Sequence, residues 1–175
     1  MTGHILVGDR VLLDVSFGAA RARLGILTRD GVLLRASEMA YSAGITSMVT
    51  AAGPAAGLSR LAGVRLEDLA GTDDCARLAL QWQAIAADGA LFAALDADLM
   101  LTPAGDQITV LALTGVYRRR TGRAGTGPDR ATADRFAAAT VRSLVAQLAC
   151  ALVHPAGAAG PSGRDPPRPP GEDRP

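Results

Sequence analysis

Residues 129–153, DRATADRFAAATVRSLVAQLACALV, carry the longest uninterrupted helical pattern in the chain. Ala133, Ala137, Val141, Leu144, Leu148 and Leu152 recur in steps of three and four, which puts them on one face of an α-helix. Val145 widens that stripe, while Arg135, Ala138, Arg142 and Ala149 mark the opposite side. Just upstream, Thr126-Gly127-Pro128-Asp129 offers a hydroxyl for the N-cap, a proline for the first turn and a carboxylate near the positive end of the helix dipole. Pro155 closes the far end. A helix with one apolar face needs a surface to lie on, and the preceding residues read as that surface.

Immediately before the helix the period is two. Gln107 to Tyr117 is apolar on both faces, as a central or doubly covered strand would be. Leu91 to Thr102 sets Leu95, Ala97, Leu99 and Leu101 inward against Asp96 and Asp98, and Thr102–Asp106 reads as a tight turn. Cys75 to Ala86 places Leu78, Leu80, Trp82 and Ala84 on one face, with Arg77, Gln81 and Gln83 on the other, and Asp88-Gly89 is a hairpin signal. Gly57 to Leu69 alternates Val64 and Leu66 with charge, and Ile45 to Ala51 is strand-like up to Gly53-Pro54. Turns this short imply antiparallel pairing, since parallel crossovers need a dozen or more residues.

At the other end, His4 to Ser16 reads as an opening strand. Ser16 then caps a short helix with Phe17, Ala20, Leu24 and Leu27 on one face. Asp30-Gly31 breaks it, and a second short helix runs from Val32 to Tyr41, ending near Gly44. The predicted order is strand, two short helices, five or six antiparallel strands and one long C-terminal helix. A twisted sheet curling around that helix leaves a gap between them, the one deep site such an architecture offers.

The chain of 175 residues has room for one domain, read as residues 1–153, followed by a disordered tail over 154–175 that holds seven of the ten prolines. A net charge of +1 exerts no pull toward nucleic acid or an anionic membrane. All 18 basic residues are arginine, a bias of GC-rich coding rather than of function. The first 16 residues lack a basic n-region and break at Gly8-Asp9-Arg10, so no signal peptide is expected; neither is a membrane span. Cys75 and Cys150 form no motif and are expected to stay thiols in a reducing cytoplasm.

The stretches Leu99–Gly105 (LMLTPAG), Thr109–Arg118 (TVLALTGVYR) and Asp129-Arg130 resemble the START-like, or SRPBCC, superfamily, with the likeness running from about Arg10 to Val153. Related bacterial sequences tend to have proline, leucine and glycine after the Tyr-Arg pair, where this chain has Arg118-Arg119-Arg120-Thr121-Gly122. The resemblance implies an α+β helix-grip fold, as in polyketide cyclases and lipid-transfer domains, with a hydrophobic cavity between the sheet and the C-terminal helix. It does not settle catalysis, because binding-only and catalytic members share the fold.

The candidate residues follow from those faces. Trp82, Leu80, Leu99, Leu113 and Tyr117 on the strands, with Phe136, Thr140 and Leu144 on the helix, are the expected cavity lining. Trp82, Tyr117 and Tyr41 each bring a polar handle to an apolar wall, which suits orienting a ligand. Arg118 and Arg120, within the one local concentration of positive charge, are the candidate anion ligands. Asp96 and Asp98 share a strand face and read as solvated. His4 and His154 lack partners at motif spacing, so neither a triad nor a metal site is expected; His154 suits the negative end of a helix. The expected role is carriage of a small apolar, lipid- or polyketide-like ligand without a cofactor. A cyclase- or dehydratase-type enzyme in the same cavity and a non-catalytic interaction module are the alternatives.

Overall fold

A computed structural model describes residues 2–52, 60–85, 89, 91–120 and 130–155. The helix-start residues 126–129, the Gly53-Pro54 stop and the tail beyond Pro155 lie outside them. The elements follow in the order β1 (Thr2–Leu13), α1 (Phe17–Arg29), α2 (Val32–Ala52), β2 (Arg60–Leu66), β3 (Ala70–Gly71), β4 (Ala76–Ile85), β5 (Leu91–Gly105), β6 (Ile108–Arg120) and α3 (Arg130–Val153). Every strand pairing is antiparallel, in the order β1-β6-β5-β4-β2, with β3 pairing β4.

One face of the sheet carries the core. Leu78, Leu80, Trp82 and Ala84 on β4, Leu95, Leu99 and Leu101 on β5, and Leu111, Leu113 and Tyr117 on β6 are buried, as their period-two spacing requires. They pack with Ala137, Val141, Leu144, Leu148 and Leu152 of α3 in a single cluster. The outer face meets solvent, so β6 is central in the hydrogen-bonding sense but covered on one side only: Val110, Ala112 and Val116 are half-buried and Thr114 is exposed. By length and composition α3 could also cross a membrane, but here its apolar stripe is in the core. The tight turn expected from Thr102 falls later, at Asp106-Gln107. Pro103 still pairs with Thr109 beside a bulge, a place in a ladder where a missing N–H is tolerated.

The second helix departs most from the sequence reading. Ile45 to Ala51 is not a strand; α2 continues through it to Ala52. Leu33, Ala36, Ser37, Ala40, Tyr41 and Gly44 form a buried line at helical spacing, which passes through Gly44 instead of stopping there. α2 lies alongside α3, and their crossing falls at Gly44, where an added Cβ would overlap the Thr140 hydroxyl and come within 2.9 Å of the Phe136 ring. Packing therefore outweighs the strand preference of the β-branched run. Two hydroxyls in this helix bond within it: Ser37 Oγ donates to the Leu33 carbonyl at 2.9 Å and Thr46 Oγ1 to that of Ser42 at 3.0 Å. The break between α1 and α2 is as expected, with Gly31 in the left-handed region at φ 68°.

Two side chains lock the layers through hydrogen bonds. Thr109 Oγ1, buried at the start of β6, donates to the Val15 carbonyl at 2.7 Å and ties the sheet to the entrance of α1. Arg23 Nη1 on α1 donates to the Leu152 carbonyl at 2.6 Å and more weakly to that of Val153 at 3.4 Å. It brings a cation to the orphan carbonyls and negative pole that end α3.

Candidate functional site

Four of the six aromatic residues close into a ring of rings. Tyr41 of α2 meets Trp82 of β4 edge-on, with centroids 5.4 Å apart and planes at 76°. Trp82 meets Tyr117 of β6 at 6.0 Å, Tyr117 meets Phe136 of α3 at 5.5 Å, and Phe136 returns to Tyr41 at 5.7 Å and 82°. Such tilted contacts set the positive edge of one ring on the negative face of the next, worth about 0.5–1.5 kcal/mol per pair beyond burial. None of the four side chains is more than 4% exposed.

The eight residues expected to line a cavity are all buried, in one contiguous core apart from Thr140, which adjoins it through Phe136. Leu80, Leu99 and Leu113 floor the sheet side, and Leu144 continues the helix wall. α2 packs along α3 and brings the Tyr41 ring against Trp82 and Phe136, a contact that the shorter helix expected over Val32 to Tyr41 does not imply. The buried alanines of α3, Ala133 and Ala137, accordingly allow a neighbour to pack closely.

Thr140 is the exception to a satisfied interior. It is 1% exposed, and its Oγ1 has no hydrogen-bond partner among the described residues. A helical threonine ordinarily donates to the carbonyl one turn back, here that of Phe136, and this one does not. The other buried polar side chains are also hydroxyls: Ser37, Thr109 and Thr132. Among the described residues no carboxylate, histidine or arginine is buried, and no group of acidic, cysteine or histidine side chains is arranged to hold a metal ion.

Arg118 and the two aspartates sit on the other face of the sheet. Arg118 is ion-paired with Asp96, so its guanidinium already has a counter-charge, while Arg120 ends β6. Asp98 accepts two bonds from Arg77, at 2.9 Å from Nε and 2.8 Å from Nη2, a bidentate fork. Both aspartates thus lie on the outward face, each ion-paired with an arginine set diagonally on a neighbouring strand. His4 is exposed on β1. His154 is exposed beyond α3 with its backbone N–H donating to the Cys150 carbonyl, and the cation at that helix end is Arg23 instead. Cys75 and Cys150 are free thiols.

No family model matches the chain, and no curated protein matches it. Among solved structures, the Mll3558 protein of Rhizobium loti is similar at 14% identity, covering 84% of this chain and 99% of that one with a TM-score of 0.43. The ZhuI aromatase/cyclase of Streptomyces sp. R1128 is similar at 11% identity, 89% and 99% coverage and a TM-score of 0.35. Ara h 8.0201 is similar at 6% identity, 86% and 98% coverage and a TM-score of 0.39. The assignment rests on the chain's own topology: a strand, two helices, a wholly antiparallel sheet and a long C-terminal helix packed on its inner face. That arrangement is the α+β helix-grip fold.

Proposed function

We propose that the protein binds and carries a small apolar ligand between the sheet and its two long helices, at the ring of Tyr41, Trp82, Tyr117 and Phe136. The observation supporting this reading is the Thr140 hydroxyl, a buried polar group without a partner at the one place where α2, α3 and the aromatic rings converge. An unsatisfied hydroxyl costs about 1–3 kcal/mol, and a guest carrying a single polar atom would remove that cost. Apolar surface of the guest would contribute about 25 cal/mol per Å² buried, less the cost of parting the rings. Carriage is favoured over cyclase- or dehydratase-type chemistry because the buried polar set is made of hydroxyls, with no buried acid–base pair among the described residues.

The close packing of the four rings favours a second reading, an interaction module whose interior is filled by its own side chains. Native mass spectrometry of the full chain purified from several hosts separates the two. Carriage predicts a co-purified apolar molecule, or saturable quenching of Trp82, the sole tryptophan, by an added apolar fluorophore. Recovery of no such molecule from any host, together with an unchanged Trp82 signal, would leave the interaction module.

A further inference from the structure

β1 is an edge. Its twelve residues pair with β6 on one side, and on the other no described strand joins it. Proteins usually blunt such edges with lysine, proline, bulges or short length. β1 has no lysine or proline and pairs with β6 in unbroken register; its charges, Asp9 and Arg10, are of opposite sign and adjacent, so they leave the edge without net repulsion. On its outer face Leu6 is 86% and Leu12 65% exposed.

A cleft of about 600 Å³ runs between His4–Asp9 of β1 and a stripe of α3 made by Asp134, Ala138 and Arg142. These three are spaced by four, so they share one face of the helix. Asp134 and Arg142 have no ion-pair partner among the described residues. The stripe is self-complementary. Turned about a two-fold axis through Ala138, its acidic end meets its basic end, and does so twice. The small side chain at the centre lets two such helices approach closely. An unrelated strand would find the free backbone edge but not this charge pattern.

We propose that β1 and this flank of α3 form the interface of a homodimer. β1 pairs antiparallel with the partner's β1 about an axis near Val7 and Gly8, which makes one continuous sheet of the two. Asp134 faces the partner's Arg142, and Arg142 faces the partner's Asp134. This is an isologous contact, closed by its own symmetry, which stops the edge from propagating into a fibre. It is independent of any ligand in the core.

Sedimentation velocity of the full chain across a wide range of concentration tests it. The wild-type chain is expected to dimerise. Asp134→Arg alone, or Arg142→Asp alone, sets like charges against each other and is expected to weaken the dimer about tenfold or more. The double exchange, Asp134→Arg with Arg142→Asp, is expected to restore it. Ala138→Cys in a Cys75→Ser, Cys150→Ser background gives a second reading, since oxidation should then link the two chains through residue 138. A monomer at every concentration, or a dimer indifferent to both single reversals and not cross-linked at 138, overturns the proposal and leaves the edge to a different occupant.

Discussion

Gly44 of α2 rests against the hydroxyl of Thr140 on α3, with no room between them for a side chain. In an exposed helix a change from glycine to alanine gains about 1 kcal/mol through backbone propensity. Here the methyl group would overlap the Thr140 hydroxyl and crowd Phe136, and overpacking of this kind costs about 1–3 kcal/mol. Gly44→Ala is therefore expected to lower stability in urea denaturation, and Thr140→Ala in the same chain should recover part of the loss. A stabilised Gly44→Ala variant would place the two helices further apart than described.

Thr140→Val keeps the shape of the side chain and removes the unpartnered hydroxyl. The ligand-free protein is expected to gain about 1 kcal/mol, the lower part of the cost of leaving such a group unsatisfied. On the carriage reading, the same variant should bind a probe with one polar atom several-fold more weakly and a pure hydrocarbon probe no worse. The two titrations, followed by Trp82 fluorescence, separate a ligand contact from a packing defect.

Truncating a ring of the quartet should be costly. Tyr41→Ala opens a hole bounded by Trp82 and Phe136, and loss of a buried aromatic side chain costs about 3–5 kcal/mol. Trp82 emission, expected to be blue-shifted and shielded from acrylamide in the wild-type chain, should shift to the red. A variant of unchanged stability and emission would mean that Tyr41 is not wedged where α2 carries it.

Arg23→Met preserves the aliphatic stem and removes the donor that caps α3. A partly buried cation at a helix C-terminus contributes up to about 2 kcal/mol. Amide hydrogen exchange should rise first over Leu148–Val153, ahead of the strands. Uniform loosening of the whole chain would argue against a local clamp.

The Arg77–Asp98 fork makes a contrasting prediction. Both side chains are substantially exposed, at 60% and 35%, and surface pairs are worth about 0–1 kcal/mol even with good geometry. A double-mutant cycle to alanine should return a coupling within that range and shrink in high salt.

Much of this fold can be read from periodicity. The alternation in β4 and β5 marked their inward residues, and the stripe on α3 marked the helix they hold. α2 was harder because its deciding contact is long-range: Gly44 has the local appearance of a helix end and becomes a crossing point only when α3 is beside it. Tyr41, last residue of the shorter helix expected there, could be named as an aromatic with a polar handle but not as the wedge that fills the interior. Arg23 and Thr109 left a weaker trace, since a partner more than ninety residues away has no local signature. The arginine was in principle recoverable: α3 needs a cation near its last carbonyls, and a half-buried arginine on a neighbouring helix is one way to supply it.

The four rings come from points spread over more than half of the chain, one each from a helix, an inner strand, another inner strand and the final helix. No two neighbours in sequence can begin that assembly, so chain-closure entropy must be met before any ring finds its mate. The quartet should therefore shut late, after helix and hairpin signals have matured. Trp82, held within it, is then a natural clock for the last step of folding, with its fluorescence trailing far-ultraviolet dichroism in a stopped-flow trace.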